Sequence, residues 1–89
     1  MARDFKNPLY KQWRTQVYKR DTYHCQWPHC QMKCKLNAHH IKKWHNSPAL
    51  RFHPNNGITL CSYHHKLIKN NEENYEQFFF KLVQNKLRQ

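Results

Sequence analysis

The sequence predicts a small α+β domain, a short two-stranded core with a helix at either end, and three observations carry that expectation. Two segments, Leu9 to Arg20 and Tyr75 to Leu87, repeat apolar residues at helical spacing. Two shorter segments, Leu36 to Ile41 and Ile58 to Leu60, have the length and composition of strands and run into histidines or a cysteine. Finally, 89 residues hold four cysteines and eight histidines. Chains of this size bury only about 60–65% of their extended surface and commonly need a metal or a crosslink to stay folded. The whole chain, 1–89, is expected to form one domain, with no repeat or low-complexity run.

Residues 1–7 form a basic lead-in. Asn7-Pro8 then starts a helix over 8–20, with Asn as the N-cap and Pro at the first helical position. Leu9, Trp13 and Val17 recur every four residues, and Tyr10 lies on an overlapping face, so Tyr10 and Trp13 read as core anchors. Asp21-Thr22-Tyr23 ends the helix. Cys25-Gln26-Trp27-Pro28-His29-Cys30 is a turn bearing two thiols separated by four residues, within the range of a zinc half-site, and Pro28 stiffens it. Cys34 and His29 are further candidate ligands that spacing does not exclude.

The strand Leu36 to Ile41 leads into an extended connection, Lys42 to Asn55, whose Trp44, Leu50 and Phe52 should pin it to the body. Asn55-Asn56-Gly57 signals a turn before the strand Ile58 to Leu60, which is expected to pair antiparallel with the first. A helix begins at Ser62 or Tyr63, and Asn70 to Glu73 interrupts it or caps a new one. The stripe Tyr75, Phe78, Phe79, Leu82, Val83 and Leu87 marks a last helix over 72–88, with acidic residues early and basic residues late. Phe78-Phe79-Phe80 cannot all face one core, so one is expected to be partly exposed or to meet a partner.

Sixteen Lys and Arg against five Asp and Glu give a net charge of +11, spread from Arg3 to Arg88. A surface so basic suits a polyanion. Arg14, Lys42, Lys43, Lys66 and Lys69 are the residues expected to meet a phosphate backbone. No stretch approaches the roughly 18 apolar residues of a membrane span and no signal peptide opens the chain, so the expected setting is intracellular and cytoplasmic. There the cysteines read as metal ligands rather than disulfides.

Cys25 and Cys30 make one half-site, and Cys61 with His64, separated by two residues, makes the other. Together they form a closed Cys3His set suited to structural zinc, leaving Cys34 over. Structural zinc can supply on the order of 10 kcal/mol toward folding. His39, His40, His65 and Asn56 remain. His64 and His65 diverge by about 100° on a helix, so His65 must point elsewhere when His64 faces zinc. Strand pairing would bring His39 or His40 to it, and a second, open metal site becomes plausible. Phosphodiester hydrolysis needs such a set: one His helps hold a divalent ion and another deprotonates water. An imidazole titrates near pH 6.5, about half-poised for that task once its tautomer is fixed, and Asn56 is placed to fix it.

Ala38-His39-His40-Ile41, Asn56-Gly57-Ile58-Thr59-Leu60-Cys61 and His65 resemble the His-Asn-His (HNH) endonuclease family with its zinc-binding cysteines. The lead-in from Val17 to Cys30 is similar to the zinc-bearing segment of those proteins, and the likeness covers roughly residues 9–69. The resemblance implies a ββα-metal, treble-clef-like fold cradling a catalytic divalent ion (Mg2+, Mn2+ or Ni2+). It implies His40 as general base, Asn56 orienting it, His39 and His65 holding the ion, and Cys25, Cys30, Cys61 and His64 in the zinc positions. Many members have cysteine where His64 stands. Some carry a further His or Asn ligand one turn beyond the last motif histidine; Lys69 stands there, and Asn70 is the nearest substitute. The implied products are 5′-phosphate and 3′-hydroxyl ends on double-stranded DNA, as nicks or double-strand breaks. Small stand-alone members come from bacteriophages and mobile elements, which implies a phage packaging or other DNA-processing partner and a monomer or weak homodimer.

Three other readings use the same residues. A non-catalytic zinc module that binds nucleic acid accounts for charge and cysteines but leaves His39, His40 and His65 idle. A secreted disulfide protein or basic membrane-active peptide would need paired thiols. A nuclease-like fold could also serve as an accessory subunit of a larger DNA-processing complex.

Overall fold

A computed structural model describes residues 7–42 and 48–87 of the chain, apart from the side chains of Pro48 and Leu87. In order, the elements are helix α1 (Pro8–Arg20), strand β1 (Leu36–His40), strand β2 (Gly57–Cys61), helix α2 (Ser62–Leu67) and helix α3 (Glu76–Leu87). Short 3-10 turns at Pro48–Leu50, Pro54–Asn56 and Glu72–Tyr75 join them. The result is a small α+β unit around a two-stranded antiparallel sheet. Trp44, Lys43 and the lead-in 1–6 lie outside the described residues.

The sheet pairs Leu36 with Cys61, Ala38 with Thr59, His39 with Ile58 and His40 with Gly57. Strand alternation therefore sends neighbouring residues to opposite faces. One face packs on α1, where Tyr10, Trp13 and Val17 are buried with Ala38 and Phe52 against them. The other buries Ile41, Ile58, Leu60, Ile68, Phe79 and Val83 together with Cys25 and Cys61. Two apolar layers thus sandwich the sheet, and β2 is buried along its whole length.

Helix α1 starts where the sequence places it. Asn7 is the N-cap, its side-chain oxygen accepting from the Leu9 amide at 2.9 Å, and Pro8 follows. Its buried stripe is Tyr10, Trp13 and Val17, whereas Leu9 is 52% exposed. Tyr10, Trp13 and Val17 fall within an arc of about 60° at 100° per residue, and Leu9 lies about 40° outside it. Two anchors fix the helix: Trp13 Nε1 donates to the His53 carbonyl at 3.0 Å and Tyr18 Oη to that of Leu36 at 3.3 Å. A third, at its end, uses Arg20 and Asp21.

Asp21 is 1% exposed, and both its oxygens accept from the Arg20 guanidinium at 2.8 Å. One oxygen also accepts from the Thr59 amide at 2.9 Å. Arg20 in turn donates to the carbonyls of Pro54 at 2.9 Å and Gly57 at 2.7 Å. A paired, fully hydrogen-bonded charge is the form in which burial is tolerated. This pair ties the end of α1 to β2 and the turn before it.

Gly57 opens β2 in an extended conformation, φ −135°, so the turn signalled by Asn55-Asn56-Gly57 is the 3-10 turn Pro54–Asn56 and needs no left-handed glycine. What requires glycine is space, since a Cβ there would lie 2.5 Å from Val17 and 2.6 Å from Trp13. Of the three consecutive phenylalanines, Phe79 is buried, Phe80 packs at the core margin and Phe78 is 37% exposed. Asn71 stands at the N-cap of the turn Glu72–Tyr75 without a side-chain cap bond.

Candidate metal centre

Cys25, Cys30, Cys61 and His64 come together. One ligand atom from each lies within 4.8 Å of all the others. The strand-to-helix junction supplies two of them: Cys61 ends β2 and occupies the N-cap position of α2, and His64 follows one turn later. The other two come from the turn after α1, closed by a hydrogen bond from the Cys30 amide to the Trp27 carbonyl at 2.9 Å. That turn is held to the sheet by the Gln26 amide, which donates to the Thr59 carbonyl at 2.9 Å.

His64 Nδ1 lies 3.6 Å from the Cys25 sulfur and 3.3 Å from that of Cys61. A zinc tetrahedron with bonds of ~2.3 Å to sulfur and ~2.1 Å to nitrogen has N···S edges of about 3.6 Å. The residues therefore fit a structural metal such as zinc in both donor type and spacing. Burial pushes the Cys25 thiol up to about 12. Burial also acts to raise Cys61, but the His64 amide, the neighbouring thiols and the Tyr63 amide outweigh it and hold that thiol below its usual value. A cation bound here would hold the sulfurs as thiolates. Cys34 and His29, left open by spacing, are exposed and stand outside the set.

Trp27 stacks on His64 with ring centroids 4.7 Å apart and planes at 8°. Phe78 and Phe79 meet Trp27 edge-on. The indole thus shields one side of the cluster and fixes the His64 ring. Sequence reasoning treats Trp27 only as part of a turn, and its place between two thiols is the one hint of this role.

His39 and His40 lie on opposite faces of the sheet. On the α2–α3 face, the His39 and His65 rings meet at 5.6 Å between centroids and 66° between planes, with Phe79 5.5 Å from His39. Two imidazoles sharing one ion at ~2.1 Å would stand about 5 Å apart. His39 is 8% exposed, while His65 sits on the open side of α2.

His40 faces α1. It is 5% exposed and stacks on Trp13 at 3.8 Å and 9°. Its Nε2 donates to the Arg51 carbonyl at 2.9 Å, which places the proton on Nε2 and the lone pair of the neutral ring on Nδ1. Asn56 makes no such contact. Its side chain accepts from the Lys42 amide at 2.7 Å and donates to the Lys42 and Leu50 carbonyls at 3.2 Å, and its own carbonyl accepts from the Ile41 amide at 3.0 Å. Asn56 therefore staples the ends of the long connection and sets the Arg51 carbonyl only through the neighbouring Leu50.

The basic residues are scattered. Lys66 and Lys69 are exposed on and just after α2. The Arg14 guanidinium lies 5.9 Å from the Tyr10 ring centre, and Lys42 pairs with Glu76 at 3.0 Å. Asn70 adopts a left-handed conformation, φ 71°, after α2. Among the described residues no helix is long and apolar enough to cross a membrane. Comparison with known protein families, characterised proteins and solved structures finds no match.

Proposed function

We propose that the protein is a metal-dependent DNA endonuclease of the HNH kind, with β1, β2 and α2 serving as a ββα-metal unit. The observation that carries this reading is the meeting of His39 and His65, from a strand and a helix, beside the Cys3His cluster that aims α2. In this reading His39 and His65 hold a divalent ion, Mg2+, Mn2+ or Ni2+. When bound, that ion neutralises charge on the scissile phosphate and on the leaving 3′ oxygen. His40 Nδ1 accepts the proton of the attacking water while Arg51 holds the ring by Nε2. Asn56 keeps that carbonyl in place through the loop. Double-stranded DNA is the substrate that the net charge of +11 favours.

One observation favours a second reading, a zinc-stabilised nucleic-acid-binding module or accessory subunit: His40 is packed under Trp13 as a core residue would be. Digestion of supercoiled plasmid across Mg2+, Mn2+, Ni2+ and Zn2+ separates the two. His40→Ala and the better-packed His40→Gln are expected to lose about 10²–10⁴-fold in nicking rate while keeping zinc content and DNA binding. Wild-type cutting by both variants would sink the mechanism. DNA binding without cutting in any metal would establish the module instead.

A further inference from the structure

Helix α1 carries a second surface that the nuclease reading does not use. At 100° per residue, Lys11, Gln12, Thr15, Gln16 and Lys19 fall within an arc of about 140°, and all five are exposed. Tyr10, Trp13 and Val17 occupy the opposite side, against the sheet. Lys11, Gln12, Thr15 and Gln16 line one shallow concavity. Among the described residues, the hydrogen bonds that mount the helix come from Trp13, Tyr18 and the Arg20–Asp21 pair rather than from this stripe.

The stripe is also free of negative charge. Residues 8–20 contain no Asp or Glu. Of the described acids, Asp21 is buried on Arg20, and Glu72, Glu73 and Glu76 lie at the start of the last helical segment. A polyanion approaching α1 meets lysines at both ends and neutral amides and a hydroxyl between them. Lys19 lies eight positions beyond Lys11, a rise of about 12 Å, and the major groove of B-form DNA, about 12 Å wide, admits a helix lying along it. Lys11 and Lys19 both lie on the same side of Gln12 and Gln16 around the helix, so a helix laid along the groove sets both lysines toward the phosphates of one wall. Gln12 and Gln16, one turn apart, then face the floor, where a glutamine amide pairs with the N6 and N7 edge of adenine.

We propose that the outer face of α1 docks in the major groove of duplex DNA, with Lys11 and Lys19 on the phosphates and Gln12 and Gln16 on base edges. This shares a partner with the nuclease reading but not its chemistry, so it is tested by binding alone, on zinc-loaded protein with no added Mg2+ or Mn2+. The assay is anisotropy of a labelled mixed-sequence DNA duplex across a salt series. Combined Lys11→Gln and Lys19→Gln is expected to reduce the slope of log affinity against log salt by about 2 and to weaken binding at least ~10-fold. Lys81→Gln, an exposed change on α3, should leave the slope alone. Combined Gln12→Ala and Gln16→Ala should keep the slope and flatten the base preferences selected from randomised duplexes. An unchanged slope in the lysine variant overturns the proposal, and unchanged base preferences overturn its base-reading half. Equal affinity for an RNA duplex, whose deep, narrow major groove excludes a helix, also overturns it. Loss of cutting with these results intact would strike only the nuclease reading.

Discussion

Gly57 is the single glycine of the chain, and its role is decided by what presses on it. With Val17 and Trp13 at 2.5 and 2.6 Å from a hypothetical Cβ, Gly57→Ala must push α1 off the sheet. A loss of about 1–3 kcal/mol in chemical denaturation is expected, the range for overpacking a filled core. Because Val17 supplies the nearer contact, Gly57→Ala should cost less in a Val17→Ala background than alone, a coupling that a double-mutant cycle reads directly. Asp21 poses the opposite case, a buried group that is already satisfied. Asp21→Ala would strand the Arg20 guanidinium and orphan the Thr59 amide. A loss of about 3–5 kcal/mol is expected, measured as a shift in denaturation midpoint at constant slope. Arg20 and Asp21 look in sequence like a helix end followed by a breaker; nothing there says that the pair closes on residues 34 to 38 positions later.

At the scale of elements, α2 is the least self-sufficient. None of its residues from Ser62 to Leu67 is buried. It is held by Cys61 and His64 at one end and by Ile68, fully buried, just past the other. Six residues are too few for a helix to persist by its own hydrogen bonds. Metal removal should therefore act first on α2 and the turn from Cys25 to Cys30. In amide hydrogen exchange, chelation is expected to abolish protection at 64–69 before it reaches α1, whose sheet contacts need no metal. Simultaneous loss throughout would show that the cluster supports the whole fold instead. The same dependence links the two histidine pairs, since His65 meets His39 only while His64 is turned into the cluster.

At the scale of the whole molecule, a net charge of +11 on 89 residues sets like charges against one another in the compact state. Raising ionic strength from very low values to ~0.15 M, where the Debye length is about 8 Å, screens that repulsion. The thermal midpoint of the zinc-loaded protein is expected to rise over that interval. A falling midpoint would mean that attractive pairs such as Lys42–Glu76 outweigh the repulsion. The charge opposes self-association as well, which leaves the 37% exposed Phe78 a weak basis for a dimer.

What the sequence determined by itself was local or compositional. Asn7-Pro8 sets a helix start through capping chemistry, the spacing of Cys25, Cys30, Cys61 and His64 predicts a metal cluster, and the period of two sends His39 and His40 to opposite faces. Each follows from residues near one another in the chain or from ligand chemistry that distance does not alter. Tertiary structure decided the rest. It set Trp13 on His40 and Trp27 on His64, gave the His40 proton a partner in the Arg51 carbonyl rather than in Asn56, and turned Gly57 from a turn signal into a point of close approach. These depend on surfaces brought together by packing and on backbone carbonyls, which every residue carries alike and which no residue type announces.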